Sequence, residues 1–350
     1  MELQAGRRVT IADVAEAAGV SKTAVSFAFN NPTRLNVDTV ARILAIADEL
    51  GYRPDPVARM LAKRRTGMIG ILTPQALASI FANPFFGTFS AGVAGVAEEA
   101  GYGLYFISPL HGSLSRAIGR AIVDGVVAIG LAADHPEIAE IRRAGLPMTT
   151  VDSDHFEELP SVDVVDEGGA VAAAPHLVGL GHRDVLVIAI ERAEHAPSGA
   201  EDVVGRRLRG YRTAFKAAGI EIGDDCVVVG HATFAGGLDA IERAWLAGKR
   251  PTAVLAMSDA MAIGAIRGLR DRGLSIPGDV SVVGFDDIDL AQTTDPPLTT
   301  IHQPIRGKGE EAVRLLLDLI AGRGQPPEHR RLATELIVRA STAVAPASKP

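Results

Sequence analysis

The chain has 350 residues, of which 47% are hydrophobic and 22% are charged, and its formal net charge is −7. This composition excludes a disordered chain, and about 150 residues per domain predicts two or three domains. A single cysteine, Cys226, excludes an internal disulfide, and no apolar run approaches the length of a membrane span. The start, MELQAGRRVT, lacks the apolar core of a signal peptide, which together with the cysteine count favours a cytoplasmic protein.

Charge is distributed unevenly along the chain. Residues 1–66 carry ten lysines and arginines against seven acidic residues, whereas the remainder carries 25 against 35. The first segment is therefore slightly basic and the rest is acidic. This asymmetry is typical of a small nucleic-acid-binding module joined to a larger domain.

Three short helices are predicted within residues 9–52. Thr10 can cap IADVAEAA, Gly19 ends that helix, and Ser21 can cap KTAVSFAFN. The loop NNPTRLN leads to a third amphipathic helix, VDTVARILAIADELGY, which Gly51 ends. Two helices joined by a tight turn are a candidate helix-turn-helix, although any small three-helix bundle would show the same spacing.

The second predicted helix has two distinct faces. One is an apolar stripe that can pack on the first helix, formed by Val25, Ala28 and Phe29. The other face is polar apart from one ring and carries Lys22, Thr23, Ser26, Phe27 and Asn30. In a helix-turn-helix, side chains near the start of the second helix reach base edges in the major groove.

Residues 53–66, RPDPVARMLAKRRT, form a predicted linker with a short helix starting at Pro56. The pattern of predicted secondary structure changes after this linker. From Gly67 onward helical segments alternate with the strand candidates MIGILTP, GYGLYFIS, GVVAIGL, PMTTVD, DVLVIAI, CVVVG, AVLAMS and VSVVGF. This alternation predicts parallel sheets covered by helices on both faces. About 280 residues exceed one doubly wound unit, so two Rossmann-like lobes are expected, with a ligand cleft at the carboxyl ends of their strands.

The ordered set of motifs resembles the LacI/GalR repressor family. The resemblance begins with VTIADVAEAAGVSKTAVSFAFNNP and continues through NPFF, VGLGHRDVLVIA, RRLRGYRTAF, MSDAMAIGAIRGL, IPGDVSVVGFDD and PPLTTIHQP. It covers nearly the whole chain in the family's order. The resemblance implies a sequence-specific DNA-binding transcriptional regulator, and more narrowly a repressor, controlled by a small-molecule effector.

The resemblance also implies an α/β fold class, with a small all-α helix-turn-helix head and two lobes of periplasmic-binding-protein type. The expected domains are a DNA-binding domain at 1–52, a hinge helix at 53–66, and an effector-binding and dimerisation domain at 67–350. The N-lobe is expected at about 67–163 and 302–328, and the C-lobe at about 164–301 and 329–345.

Roles for residues of the head follow from the same resemblance. Relatives usually carry a guanine-reading arginine at the position of Phe27, whose ring can offer only apolar contact, for instance to a thymine methyl group. Leu61 matches a leucine that wedges between base pairs in the minor groove beside its twin from a second chain. The expected DNA-contacting residues are Thr10, Ser21, Lys22, Thr23, Ser26, Phe27, Asn30, Arg59 and Leu61.

The roles of residues in the expected cleft are inferred from their positions in the family's motifs. The Asp286 carboxylate can accept hydrogen bonds from vicinal sugar hydroxyls, or could merely cap the following helix. Gly205 stands where relatives hold an effector-binding arginine; Arg206 lies beside it, and Arg207 is expected to be a structural ion-pair partner. The phenylalanines of NPFF could line the cleft or belong to the core. The expected effector-contacting residues are Phe85, Phe86, Arg206, Phe234, Ser258 and Asp286.

Other classes of function fit the sequence less well. A solute-binding protein without a DNA-binding role is the alternative, disfavoured by the 66-residue head and the missing signal peptide. No G-x-G-x-x-G follows the first strand and no Walker A motif occurs, so no enzyme is expected. The nine histidines are scattered, so neither a metal nor another cofactor is expected. The expected partners are a pseudo-palindromic double-stranded operator, a sugar or related metabolite, and a second copy of the chain, with no membrane.

Overall fold

The computed structural model of the protein describes residues 9–55, 60, 65–192, 202–323 and 326–347. The chain divides into two compact units, Met1–Thr66 and Gly67–Pro350, referred to below as the head and the body. The hinge helix expected at 53–66 falls mostly outside the described residues, and so do the DNA contacts expected of Arg59 and Leu61.

Residues 9–55 of the head contain three α-helices, with a 3-10 turn at Pro32–Arg34 between the last two. The helices are α1 Ile11–Ala18, α2 Lys22–Asn30 and α3 Val37–Glu49. Hydrogen bonds from capping residues explain where α1 and α2 begin. The backbone N–H and hydroxyl of Thr10 both donate to the Asp13 carboxylate at 2.7 Å, and Ser21 Oγ accepts from the Ala24 N–H at 3.1 Å. Gly19 ends α1 at φ 61°, a left-handed conformation that glycine adopts without strain.

Apolar residues at helical spacing build the core of the head. Val14, Val25 and Ile43, one from each helix, are fully buried. Phe29 packs against this core and meets Tyr52 edge to face, with ring centroids 5.7 Å apart. The predicted apolar stripe of α2 is confirmed, and the predicted helix-turn-helix arrangement with it.

The described residues of the body form two six-stranded sheets. In chain order the strands are β1 Met68–Leu72, β2 Gly103–Ile107, β3 Gly125–Ile129, β4 Met148–Val151, β5 Ser161–Val164, β6 Val185–Ile190, β7 Val227–Gly230, β8 Ala253–Ala256, β9 Ser281–Asp286, β10 Thr299–His302, β11 His329–Leu332 and β12 Glu335–Ile337. The first sheet has the order β11-β5-β4-β3-β1-β2 and the second β12-β10-β9-β8-β6-β7. All neighbours pair in parallel except β10 and β12. The predicted α/β class with two parallel-sheet lobes is confirmed.

The helices of the body cover these sheets. In chain order they are α4 Leu77–Phe81, α5 Pro84–Glu99, α6 Leu114–Arg120, α7 Ile138–Arg143, α8 Asp166–Gly179, α9 Val203–Ala217, α10 Phe234–Leu246, α11 Asp259–Arg270, α12 Asp289–Thr293 and α13 Ile305–Ile320. Helix α13 packs on α5 and on strands β3 and β4, which assigns it to the first lobe. Helices α8 and α9 pack on each other, and α8 also contacts β10 and β12, which assigns this pair to the second lobe.

The chain passes between the lobes three times: after β5, between β10 and α13, and between β11 and β12. The expectation that residues from 329 onward belong to the C-lobe is wrong for β11, because this strand pairs with β5 of the first sheet. The third passage therefore lies between Leu332 and Glu335.

All eight predicted strands are present. The structure adds the short strands β5, β10, β11 and β12, of which β11 is too polar to have an apolar strand signature.

Close helix packing in the second lobe depends on two glycines. A Cβ atom at Gly237 on α10 would clash with the Met261 carbonyl, and one at Gly264 on α11 would clash with the Phe234 carbonyl. Only glycine lets the two backbones approach so closely. This contact holds the starts of α10 and α11, and hence Phe234 and Ser258, in fixed relative positions.

Tyr211→Phe is expected to raise the free energy of unfolding by about 1 kcal/mol. Tyr211 is fully buried on α9, and its hydroxyl finds no hydrogen-bond partner among the described residues. Removing a buried, unpaired hydroxyl relieves its desolvation cost while the ring keeps its packing. Urea unfolding of the two proteins measures the change; a clear destabilisation would mean that the hydroxyl has a partner in solution.

Candidate functional site

The polar face of α2 is accessible along its first turn. Lys22 and Thr23 are exposed, whereas Ser26 and Asn30 are half-buried. The Asn30 amide donates to the Ser26 carbonyl at 3.1 Å, so one of its donors is engaged within the helix. Thr10 and Ser21, expected to contact DNA, are the exposed cap residues of α1 and α2. Five of the seven described head residues in the predicted set thus belong to one helix, and the other two precede helix starts.

Phe27 lies on this face and is half-buried, but it is not part of the apolar core of the head. Its ring instead meets Arg34 from the 3-10 turn, whose guanidinium carbon lies 5.2 Å from the ring centroid. That distance is within the range of a cation–π contact. Arg34 is exposed. A guanidinium therefore stands against the same face of α2 that carries Thr23.

In the body, two aspartates with unusual backbone conformation mark the carboxyl ends of strands from different lobes. Asp286 ends β9 with φ 130°, and Asp152 follows β4 with φ 47°. Positive φ is uncommon outside glycine and is concentrated at functional sites, where surrounding contacts hold it. The two residues thus identify the edge of each sheet where ligands of this fold class bind.

A buried chain of polar side chains joins these aspartates across the lobes. Gln303 Nε2 donates to Asp286 Oδ1 at 2.5 Å, and Lys308 Nζ donates to Gln303 Oε1 at 2.6 Å. The Lys308 ammonium also forms an ion pair with Asp152, and it lies 4.7 Å from the centroid of the Phe85 ring. Lys308 is fully buried on α13 of the first lobe, whereas Asp286 belongs to the second. The central member of this row of polar side chains is Gln303. It lies between β10 and α13, where the polypeptide crosses between the lobes for the second time.

A second cluster lies where the chain first enters the second lobe. Asp166, the first residue of α8, is fully buried and accepts from both Arg206 and Arg207, at 2.9 Å each. Arg207 further donates to the Met257 carbonyl at 2.6 Å and stacks on Phe285, 3.5 Å from its centroid. These contacts match the structural ion-pair role predicted for Arg207. Arg206 remains partly accessible, with 18% of its side chain exposed.

Acidic groups at the lobe junction have perturbed pKa values. Burial, followed by the negative charge of Asp152, raises the pKa of Asp163 to about 6. Burial also raises the pKa of Asp286, although Arg207 and the Gln303 hydrogen bond oppose this shift. Val151 and Val162 are register partners, so Asp152 and Asp163, which follow them, are neighbours on adjacent strands. One carboxylate oxygen of each is buried without a hydrogen-bond partner among the described residues. Unpaired acceptors of this kind favour a ligand rich in hydrogen-bond donors.

The other predicted effector contacts take different positions. Ser258 is buried and caps α11, accepting from the Met261 N–H at 3.2 Å. Phe234 is half-buried at the start of α10. Phe85 and Phe86 are buried within the main core of the body, with ring centroids 5.4 Å apart. The structure thus joins Phe85 to Asp286 through the polar chain, by way of Lys308 and Gln303.

Sequence reasoning did not identify Asp152, Asp166, Gln303 or Lys308 as residues of this junction. Asp152 carries a signal, because it is the last residue of the strand candidate PMTTVD, and Asp286 directly follows the strand candidate VSVVGF. Gln303 lies inside the motif PPLTTIHQP. Lys308 carries no such signal in the sequence, because a lysine in an amphipathic helix is ordinarily solvated. The burial of Lys308 depends on the Asp152 carboxylate, 156 residues away in the chain.

Two family models match the chain. The model described as bacterial regulatory proteins, lacI family, matches residues 10–55, which contain the three helices of the head. The model described as a periplasmic binding protein-like domain matches residues 174–342 of the body. The two matches follow each other in chain order, as the head and the body do.

Full-length relatives share this arrangement. The chain is 33% identical over 344 residues to the HTH-type transcriptional regulator CelR of Thermobifida fusca, covering 96% of this chain and 98% of that protein. It is 36% identical over 360 residues to the HTH-type transcriptional regulator Rv3575c of Mycobacterium tuberculosis, covering 97% and 98% respectively. The chain belongs to the lacI family of bacterial regulatory proteins. It is accordingly a DNA-binding transcriptional regulator, and the solute-binding alternative is set aside.

Solved structures of this family resemble the regulator along almost its whole length. The lac repressor dimer bound to operator and the anti-inducer ONPF has a TM-score of 0.80 and 28% identity, covering 96% of this chain and all of that one. The complex of the transcriptional regulator CelR with cellobiose has a TM-score of 0.70 and 31% identity, covering 95% and 100%. Within the described part of the regulator, no helix has the length and apolarity needed to span a membrane.

Proposed function

We propose that this regulator is a cytoplasmic repressor without catalytic activity, which binds a pseudo-palindromic operator as a homodimer and is controlled by a sugar or related metabolite. The observation that carries the proposal is the buried polar chain from Asp286 to Asp152, which joins the two lobes at the ends of their strands. A ligand that enters this junction must exchange hydrogen bonds with groups from both lobes.

The head supplies the DNA contacts in this proposal. The exposed start of α2 enters the major groove, where side chains of its polar face meet base edges and the two cap residues lie near phosphates. The proposed contacts among the described residues are Thr10, Ser21, Lys22, Thr23, Ser26, Phe27 and Asn30. Because a single head can contact few base pairs, two heads are needed for tight and specific binding.

The lobe junction supplies the effector site. Asp286 accepts hydrogen bonds from the effector, and Arg206 donates to it, while Phe85, Phe86, Phe234 and Ser258 shape the surroundings. The unpaired oxygens of Asp152 and Asp163 favour a polyhydroxyl ligand, whose hydroxyls can donate to them. A relative of similar length, CelR, has been solved with cellobiose, which is such a ligand.

The effector acts by changing the angle between the lobes. A ligand shifts a conformational equilibrium only by its difference in affinity for the two states, typically about 1–3 kcal/mol. Binding at the junction satisfies this requirement, since the polar chain must rearrange when the lobes move. In a dimer, the lobe angle sets the spacing of the two heads and therefore the affinity for the operator.

Binding to a selected operator is expected to weaken steeply with salt and to require two half-sites. Operators are selected from a random-sequence duplex library, and affinity is then measured by gel retardation at several salt concentrations. The log–log slope should be roughly −0.9 per phosphate neutralised, summed over both heads. A duplex with one half-site scrambled should bind far more weakly at the same salt. Equal affinity for the intact and the half-scrambled duplex would contradict the proposed dimer.

A further inference from the structure

The polar face of α2 lacks a guanidinium of its own, although it is the face that meets base edges. Its exposed cation is Lys22, whose ammonium is a point charge without a fixed orientation. The Asn30 amide is engaged with the carbonyl of Ser26. Bidentate recognition of guanine O6 and N7 requires a planar fork of donors. This face cannot supply that fork from the helix itself.

Arg34 brings such a fork to the same face from outside the helix. Its guanidinium carbon lies 5.2 Å from the centroid of the Phe27 ring, and Phe27 is itself half-buried, one turn after Thr23 on the same face of α2. Arg34 is exposed and forms no ion pair among the described residues of the head. A guanidinium that stacks on a ring keeps its N–H groups free at the rim, since the contact uses only its flat face.

We infer that Arg34, oriented by the ring of Phe27, is a base-reading residue that forms a bidentate contact with guanine in each half-site. The inference rests on the DNA-binding function of the head. It gives Phe27 a positioning role, because the ring limits the rotamers of a long side chain and so reduces the entropy lost when the contact forms. The alternative is that the Phe27 ring itself contacts a base, for instance a thymine methyl group. In that case Arg34 would have no influence on the DNA sequence that is bound.

Selection from a random-sequence duplex library tests the inference with full-length wild type, Arg34→Lys, Phe27→Ala and the double variant. Wild type should enrich a guanine at one position of each half-site and bind it about 5- to 150-fold more tightly than other bases there. Arg34→Lys keeps the charge but loses the planar fork, so this preference should vanish while binding to the remaining positions persists. Arg42→Lys, the same change at an exposed arginine of α3, is the matched control and should enrich the wild-type sequence.

Phe27→Ala should weaken the same preference as Arg34→Lys, and the double variant should lose no more than the stronger single change. If wild type enriches an operator and Arg34→Lys enriches the identical one, the inference is wrong and the DNA-binding function stands. A uniform loss of affinity without a change of preferred base would also overturn it, since Arg34 would then contact only phosphate. If wild type enriched no sequence at all, the DNA-binding function and the inference would fail together. Circular dichroism of each full-length variant checks that its overall helix content matches that of wild type.

Discussion

Lys308→Met is expected to lower the free energy of unfolding of the body by about 3 kcal/mol. Methionine keeps the length and apolar volume of the lysine stem on α13, so the change removes little besides the ammonium group. Asp152 then retains a carboxylate that is 11% exposed and has lost its cation, while Gln303 loses a donor. A buried charge without a partner costs several kcal/mol, and the lower end of that range is expected because Asp152 keeps some access to water.

Thermal unfolding measures this effect, and about 3 kcal/mol corresponds to roughly 6–12 °C in Tm for a domain of this size. The double variant Asp152→Asn with Lys308→Met removes both charges and should recover a large part of the loss. Lys216→Met, at an exposed lysine of α9, is the matched control and should change stability by less than about 0.5 kcal/mol. Equal Tm values for Lys308→Met and wild type would show that the buried ion pair contributes nothing.

Asp286→Asn is expected to abolish the response to the effector and to leave operator affinity without effector nearly unchanged. An asparagine oxygen still accepts the hydrogen bond from Gln303, so the packing of the β9 end is preserved. The substitution removes the negative charge that strengthens hydrogen bonds from ligand hydroxyls. Because the proposed coupling is about 1–3 kcal/mol, the wild-type protein should change its operator affinity about 5- to 150-fold on saturation with effector.

The effector is first identified by a thermal-shift screen of sugars that begins with cellobiose. A ligand at 100 times its Kd adds about 2.7 kcal/mol to the free energy of unfolding, which such a screen detects. Operator affinity is then measured with and without the sugar that shifts Tm. Asp239→Asn, at an exposed aspartate of α10, is the control and should respond as the wild type does. A wild-type response in Asp286→Asn would exclude Asp286 from the effector site. Loss of basal operator binding would instead indicate that the turn after β9 is needed for folding.

The sequence by itself determined the elements that depend on near neighbours. Caps such as Thr10 and Ser21 act within three or four residues, and the apolar stripe of α2 follows from helical spacing. Strands such as β1 and β9 are buried on both faces, so they read as continuous apolar runs whatever their partners are. The order of the family's motifs was sufficient to predict the helix-turn-helix head, the two-lobed body and the regulatory function.

Tertiary structure decided which distant residues meet. The expectation at β11 failed because HRRL has no apolar signature, and only its pairing with β5 assigns it to the first sheet. The burial of Lys308 depends on Asp152, 156 residues earlier in the chain, and on Gln303 at the passage between the lobes. The stacking of Arg34 on Phe27 depends on the path of the loop after α2. A charge or a ring in a local pattern does not specify its partner, because its pairing energy is set by burial and distance, which arise only when the chain has folded.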